Sequence, residues 1–396
     1  MTVPHSAEHH SEHPSEPSAD DTGAIPTVND TARVPGEEPA EMPRRALILG
    51  ESAMALDLEQ AYKRMGFDTR IGAASIAEAF YPGIIVTSGD AEDTIETVEE
   101  ISDRVGAVVA PSVEACRHTA DRMAVRKQAN EELGLPVLDY EFAATPQEMH
   151  DAVERIGYPC VVKAPTSKDG EGFSFVHSDA DLADAWRAAD RGMGQGAVVE
   201  RFIDFDFEVT ILAARSIDPS TGELATWFCE PIGTRHREGR LVESWQPAPL
   251  PEAAMDNARS IAARITGALA SCGIFSVEMF VSGDDVYFSQ VTPRPSRDGL
   301  VTFVTQRINQ FDLQAHATQR LPIDSTLISP GAVRFLEGHP SYAALAAAMA
   351  VEEVTVRMLG DGTLVLATAD SAAEARQRTD EAVREIYRVD GKPGEN

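Results

Sequence analysis

Apolar and polar residues alternate in two rhythms along this chain, and their succession predicts its elements. Residues 45–50, RALILG, are a short apolar run closed by glycine; a helical pattern over 54–65 and a strand at 67–71 complete a β-α-β opening. A helix at 93–105, capped by Asp93 with Glu96 three residues on, and a strand at 106–111 finish a small first domain. The pattern is helical again over 114–134 and extended over 135–140. Thr145-Pro-Gln-Glu148 is a capping box with proline at the first helical position, so a helix runs from there to Gly157. A strand at 158–164, a glycine-containing loop at 166–173, a strand at 175–176 and a helix from Ser178 to about Asp190 follow. Strands at 197–202 and 208–214 come next, and 252–272 is an amphipathic helix whose stripe of Ala254, Ala258, Ile261, Ile265 and Leu269 reads as core. Residues 277–281 and 286–291 form a hairpin turning at 283–285. The end of the chain carries a strand at 332–336, a helix near 341–350, a hairpin 354–359/363–367 turning at Asp361-Gly362, and a helix at 371–387.

The mixed rhythm predicts an α/β fold with three folded parts. They are a small nucleotide-fold-like domain at 44–112, a larger domain at 113–325, and a β-rich subdomain at 326–396 that forms a small sheet packed on the main domain. Residues 1–43 are rich in Glu, Asp, Ser, Pro and His and poor in large apolar residues, so they are expected to stay disordered. His5, His9, His10 and His13 lie in that segment, where nothing pre-organises a metal site.

Composition narrows the function. A net charge of −30 argues against nucleic acid and acidic membranes as partners. The chain has no run of 18 apolar residues and does not begin with the basic, apolar and small-residue succession of a secretory leader, so neither a membrane span nor a signal peptide is expected. Cys116, Cys160, Cys229 and Cys272 lack CxxC spacing and read as reduced thiols in a cytoplasmic protein.

Candidate chemistry concentrates in two places. In the hairpin, a turn centred near Asp284 sets Glu278 opposite Gln290 and Phe280 opposite Phe288, all on one face with opposed Cβ atoms about 5 Å apart. Two oxygen-bearing side chains above an aromatic floor can grip one hard cation, and Pro293-Arg294-Pro295 then holds an arginine beside it. The plainer alternative is a hairpin with a polar, partly buried end. Earlier, Lys163 ends a strand and is followed by a small-residue loop, so its ammonium and the loop N–H groups can meet phosphate oxygens. VVERFI at 198–203 can meet adenine with its backbone, and Glu208 can accept from ribose hydroxyls. Only Gly50 remains of a glycine-rich phosphate turn after the first strand, and the dinucleotide fingerprint is absent.

IGYPCVVKA at 156–164, FDFEVTIL at 205–212, ESWQP at 243–247 and GIFSVEMFVSGDDVYFSQVTPRP at 273–295 resemble the ATP-grasp superfamily. Within it they are similar to the formate- and ATP-dependent phosphoribosylglycinamide formyltransferases of purine synthesis, with residues 110–322 carrying most of the likeness. The resemblance implies that Arg122 and Lys163 contact ATP phosphates. It makes Lys168, Asp169, Gly170, Glu171, Gly172 and Phe173 the phosphate loop, and Glu200, Arg201, Phe202 and Ile203 the adenine site. It gives Glu208 the ribose and Glu278 and Gln290 the Mg2+; Arg294, beside the cation, is expected to act catalytically and, with Arg297, to recognise the small-molecule carboxylate and amine substrates. A cytoplasmic homodimer is implied as well.

Several positions depart from the family pattern. Gln290 replaces the second metal-binding acid, Glu171 replaces a phosphate-loop lysine, and Arg297 stands where the family has an aspartate. Ala53 falls at the acid of the first turn, the segment bearing an acid in the first domain reads as deleted, and the loop at Asp361-Gly362 lacks the family's Lys and paired Arg. Three functions are therefore compared: formyl transfer to glycinamide ribonucleotide, acyl transfer to another amine, and nucleotide binding without turnover.

Overall fold

A computed structural model of the chain describes residues 44–166, 172–237, 239–360 and 362–391. The predicted phosphate-loop residues Lys168, Asp169, Gly170 and Glu171 lie outside the described residues, as does the segment 1–43. Three sheets organise the described part, all within the compact unit Pro43–Asn396.

The first sheet contains β1 (Arg45–Leu49), β2 (Asp68–Gly72), β3 (Ile84–Thr87) and β4 (Val108–Ala110), parallel in the order β2-β1-β3-β4. Ala46 and Ile48 face one apolar cluster while Leu47 and Leu49 face another, so both sides of β1 are covered. A strand buried on both faces needs the unbroken apolar run that the sequence has here. β3 is followed by the loop Ser88–Gly89–Asp90, whose Asp90 accepts from the backbones of Glu51 and Ser52. The helix Ile95–Val105 is capped by Thr94 rather than Asp93, because Asp93 instead accepts from the backbone of Ala74 at 2.8 Å.

The second sheet is antiparallel: β5 (Tyr140–Ala143), β6 (Cys160–Lys163), β7 (Ser174–Val176) and β8 (Ala197–Arg201), in the order β5-β8-β6-β7. Cys160, Val162, Ala197 and Val199 pack against the helices Pro146–Ile156 and Leu182–Asp190. Strand alternation therefore turns Lys163 and Glu200 to the opposite face, toward a cleft. The helix expected over 114–134 is broken. Val113–Ala120 ends at Asp121, whose extended backbone and side chain cap a new helix, Arg122–Lys127, followed by a wider turn at Gln128–Glu132. That break aims Arg122 into the cleft, and the strand predicted at 135–140 begins at Tyr140.

The third sheet comprises β9 (Phe207–Ile217), β10 (Leu224–Phe228), β11 (Ile232–Arg237), β12 (Arg240–Gln246), β13 (Gly273–Ser282), β14 (Asp285–Thr292), β15 (Gly331–Glu337), β16 (Val354–Leu359) and β17 (Gly362–Thr368). Its order is β14-β13-β9-β11-β12-β15-β17-β16, with β10 beside β9. The C-terminal strands do not form a separate sheet: β15 pairs with β12 from Glu243↔Arg334 to Gln246↔Gly331 and extends the main one. Ala254, Ala258, Ile261, Ile265 and Leu269 of the helix Glu252–Ala268 and its end cover one face of β9, β13 and β14, as their spacing predicts. The hairpin turns at Gly283-Asp284, where Gly283 has φ +60°.

Candidate active site

A buried carboxylate organises the small-lobe side of the cleft. Glu200, on β8, receives Lys163 Nζ at 2.8 Å and lies 2.7 Å from Arg126 Nη2, with Arg122 close enough to act on its charge. Burial alone would raise the Glu200 carboxyl, but the three cations outweigh it and hold it down at about 2. Lys163 is nevertheless pushed down, because burial and the neighbouring Arg126 and Arg122 outweigh its attraction to Glu200. The two shifts agree on one physical statement: three cations face one carboxylate, so this wall carries surplus positive charge. Burial likewise lowers Arg122, which feels both Glu200 and Glu278 and so stands between the two walls.

The opposite wall is the third sheet. Glu278 is the Cα partner of Gln290 on β14 and of Thr210 on β9, which sets these side chains in a row facing the cleft. Beyond Glu278 the hairpin departs from the expected register. A bulge between Glu278 and Met279 pairs Met279 with Phe288 and Phe280 with Tyr287, so Phe288 faces the apolar core, not the cleft. The aromatic neighbour on the cleft side is instead Phe205, whose ring centroid is 4.9 Å from that of Phe280. Glu208 pairs with His236 Nδ1 at 2.8 Å. Burial would lower His236, but the Glu208 hydrogen bond and charge, with Asp298 and Glu278, raise it to about 9. Asp298 is buried and accepts from Thr210 Oγ1 at 2.7 Å, while its backbone oxygen accepts from Ser244 Oγ at 3.0 Å. Burial and then Asp298 raise Glu278, and burial raises Asp298 against the Thr210 hydrogen bond. This wall carries surplus negative charge, and a carboxylate beside a carboxamide oxygen is a donor pair suited to a hard cation.

The remaining predicted residues do not gather at one point. Gly172 has φ +73°, and its carbonyl accepts from Ala164 N–H at 3.1 Å, which closes the base of the loop that joins β6 to β7. Phe173, Phe175, Phe202, Phe205 and Phe280 form a chain of ring contacts from that loop to β13, with centroids 6.2, 4.8, 6.4 and 4.9 Å apart. Ile203 follows Phe202 in the connection to β9, and Arg201 pairs with Asp139 at 2.9 Å on the outer side. Arg294 lies directly against Gly89: a Cβ built on that glycine would meet Arg294 Nε at 1.8 Å. Arg297 is placed over the Phe335 ring, 5.4 Å from its centroid. A Cβ built on Gly360, in the turn after β16, would lie 4.0 Å from Ala53 Cβ, and Arg357 of β16 pairs with Asp57.

Sequence reasoning missed five residues that shape this site: Asp90, Arg126, His236, Glu243 and Asp298. Asp90 accepts from the backbones of Glu51 and Ser52 at 2.9 and 2.8 Å, filling with an internal carboxylate the N–H pair of the turn after β1. Arg126 is one helical turn from Arg122, a spacing the sequence displays. Glu243, buried in the ESWQP motif, takes both arms of Arg376 at 3.0 Å and Arg235 at 3.0 Å, while Arg376 also sits 3.9 Å from the Trp245 ring. His236 and Glu243 come from strands the hydrophobic pattern did not separate.

Two lobes that close a cleft between a lysine-bearing antiparallel sheet and an acid-bearing hairpin define an ATP-grasp protein. The ATP-grasp domain model matches residues 128–311. The chain is 42% identical over 375 residues to the formate-dependent phosphoribosylglycinamide formyltransferase of Corynebacterium efficiens, covering 84% of this chain and 93% of that protein. It is 48% identical over 304 residues to the Corynebacterium jeikeium enzyme of the same name, covering 72% and 74%. The chain therefore belongs to the formate-dependent phosphoribosylglycinamide formyltransferase family. A solved glycinamide-RNase-transformylase T from Mycobacterium tuberculosis superposes with a TM-score of 0.73 at 30% identity, covering 86% of this chain and 99% of that one. An ADP complex of an N5-carboxyaminoimidazole ribonucleotide synthetase superposes with a TM-score of 0.76 at 20% identity, covering 89% and 99%, a likeness of fold alone.

Proposed function

We propose that this enzyme uses ATP to activate formate as an acyl phosphate and passes the formyl group to a primary amine. A formate oxygen attacks the γ-phosphorus and the bond to the β-phosphate bridging oxygen breaks, leaving ADP and formyl phosphate. The amine then attacks the formyl carbon, phosphate leaves, and the amine loses a proton. The observation that carries this reading is the opposition of charge across one cleft. Lys163, Arg122 and Arg126 face a single carboxylate on one side, while Glu278, Gln290 and Asp298 line the other. A nucleotide triphosphate with a divalent cation complements both walls.

Each residue then has a physical task. Lys163 and Arg122 neutralise phosphate oxygens as negative charge moves onto the leaving group. Glu208, fixed by His236, presents a carboxylate to ribose hydroxyls. Glu278 and Gln290 would hold Mg2+, which supplies electrostatic stabilisation of the transferring phosphoryl group. The phenylalanine chain from Phe173 to Phe280 gives the cleft an apolar wall, which keeps water from an intermediate that hydrolyses readily. Arg294, whose side chain lies against Gly89, would bind the small carboxylate.

A second reading concerns the acceptor. Ala53 and Arg297 stand where the family is expected to have acids, and residues 360–362 carry no Lys or Arg for the acceptor's phosphate. This favours an amine other than glycinamide ribonucleotide. ADP release measured with formate and a panel of amines, glycinamide ribonucleotide among them, tests both readings. Release that requires formate and an amine supports formyl transfer, and the amine with the highest kcat/KM identifies the acceptor. Nucleotide binding with no formate-dependent ADP release would refute the enzyme reading.

A further inference from the structure

The cation site of the proposed reaction is one negative charge short on β14, where Gln290 is neutral. The sheet brings another acid to it. Thr210 is the Cα partner of Glu278 on the side away from Gln290, and neighbouring side chains in such a row have Cβ atoms about 5 Å apart. Thr210 Oγ1 donates to Asp298 Oδ2 at 2.7 Å, so the Asp298 carboxylate lies over the sheet next to Glu278. Ser244 Oγ holds the Asp298 backbone oxygen at 3.0 Å, and the residue is only 8% exposed, so its position is fixed from two strands. The guanidinium of the adjacent Arg297 is turned to the Phe335 ring, 5.4 Å from its centroid. Two buried acids placed side by side repel; His236 near both and Arg122 near Glu278 offset part of this, and a cation between the two carboxylates would offset the rest.

We propose that Asp298 supplies the second acidic side chain for the divalent cation, replacing the charge that Gln290 lacks. The acid has moved from the hairpin strand to the short helical turn Asp298–Val301 that follows it. This inference rests on Glu278 being a cation ligand, so the test keeps the two ideas apart.

Mn2+ binding to the full chain is measured by the EPR signal of the free ion, in the presence of ADP. Asp298→Asn, which keeps an oxygen for Thr210, is expected to weaken Mn2+ at least about tenfold, and adding Gln290→Glu to that variant is expected to restore most of the loss. Thermal unfolding without metal checks that the variants fold. If Glu278→Gln abolishes binding while Asp298→Asn binds Mn2+ like the parent, the inference about Asp298 is refuted and the cation site stands. Should Glu278→Gln itself leave Mn2+ affinity unchanged, the cation-site reading falls with it. Unchanged Mn2+ affinity in Asp298→Asn with a raised KM for the amine would assign Asp298 to the acceptor and overturn the inference.

Discussion

Lys163→Met removes the ammonium that sits 2.8 Å from Glu200 Oε2 in a buried cluster, and it retains most of the side-chain volume. Two consequences follow with different magnitudes. Glu200 keeps Arg126 at 2.7 Å, so the fold loses one charge-assisted hydrogen bond rather than leaving a bare buried charge. That costs about 1.5–3 kcal/mol of stability. The nucleotide loses a cation aimed at its phosphates, again about 1.5–3 kcal/mol, which converts to roughly 10- to 150-fold weaker binding. Isothermal titration with ATP and Mg2+, together with urea unfolding of the same preparations, measures both quantities. Weakened nucleotide binding without gross unfolding is the expected outcome. An ATP affinity within about twofold of the parent would refute the placement of the phosphates against Lys163, whatever happened to stability.

Three further outcomes follow from the same geometry. Glu200 is held at about 2 against an ordinary 4.5, so its contribution, about 3 kcal/mol, is fully present above pH 4.5 and is lost as pH falls toward 2; urea midpoints should fall over that window, and Glu200→Gln should flatten the dependence. His236 is raised to about 9 from 6.5, so the stability it contributes is complete below 6.5 and disappears as pH rises through 9; an NMR titration of its ring should move back toward 6.5 in Glu208→Gln. Gly89→Ala introduces a Cβ 1.8 Å from Arg294 Nε at a backbone φ of +91°, and should lower kcat and raise the KM for formate while ATP affinity stays the same; equal losses in both would mean general destabilisation.

Much of this architecture was legible in the amino-acid order because it depends on short-range periodicity. The run RALILG makes a buried parallel strand, the stripe from Ala254 to Leu269 makes a core helix, and the glycine turn makes a hairpin of residues 273–292, in which Glu278 and Gln290 are partners through a bulge. Thr145 caps its helix as the box predicts, accepting from Glu148 N–H at 3.2 Å. These are local preferences that tertiary packing reinforces.

What folding alone decided depends on a bulge, a helix break or contacts between distant segments. One extra residue in β14 carried Phe288 from the cleft into the core, a register shift that the alternation of side chains does not announce. Asp121 interrupted a helical pattern and so turned Arg122 into the cleft. Thr210 meets Asp298, Arg376 meets Glu243 and Arg294 meets Gly89 because chain segments far apart in sequence close on one another. Hydrophobic periodicity sets which face of an element is buried, but it carries no information about which distant side chain meets that face; the charges of this cleft were brought together by the packing of the two lobes.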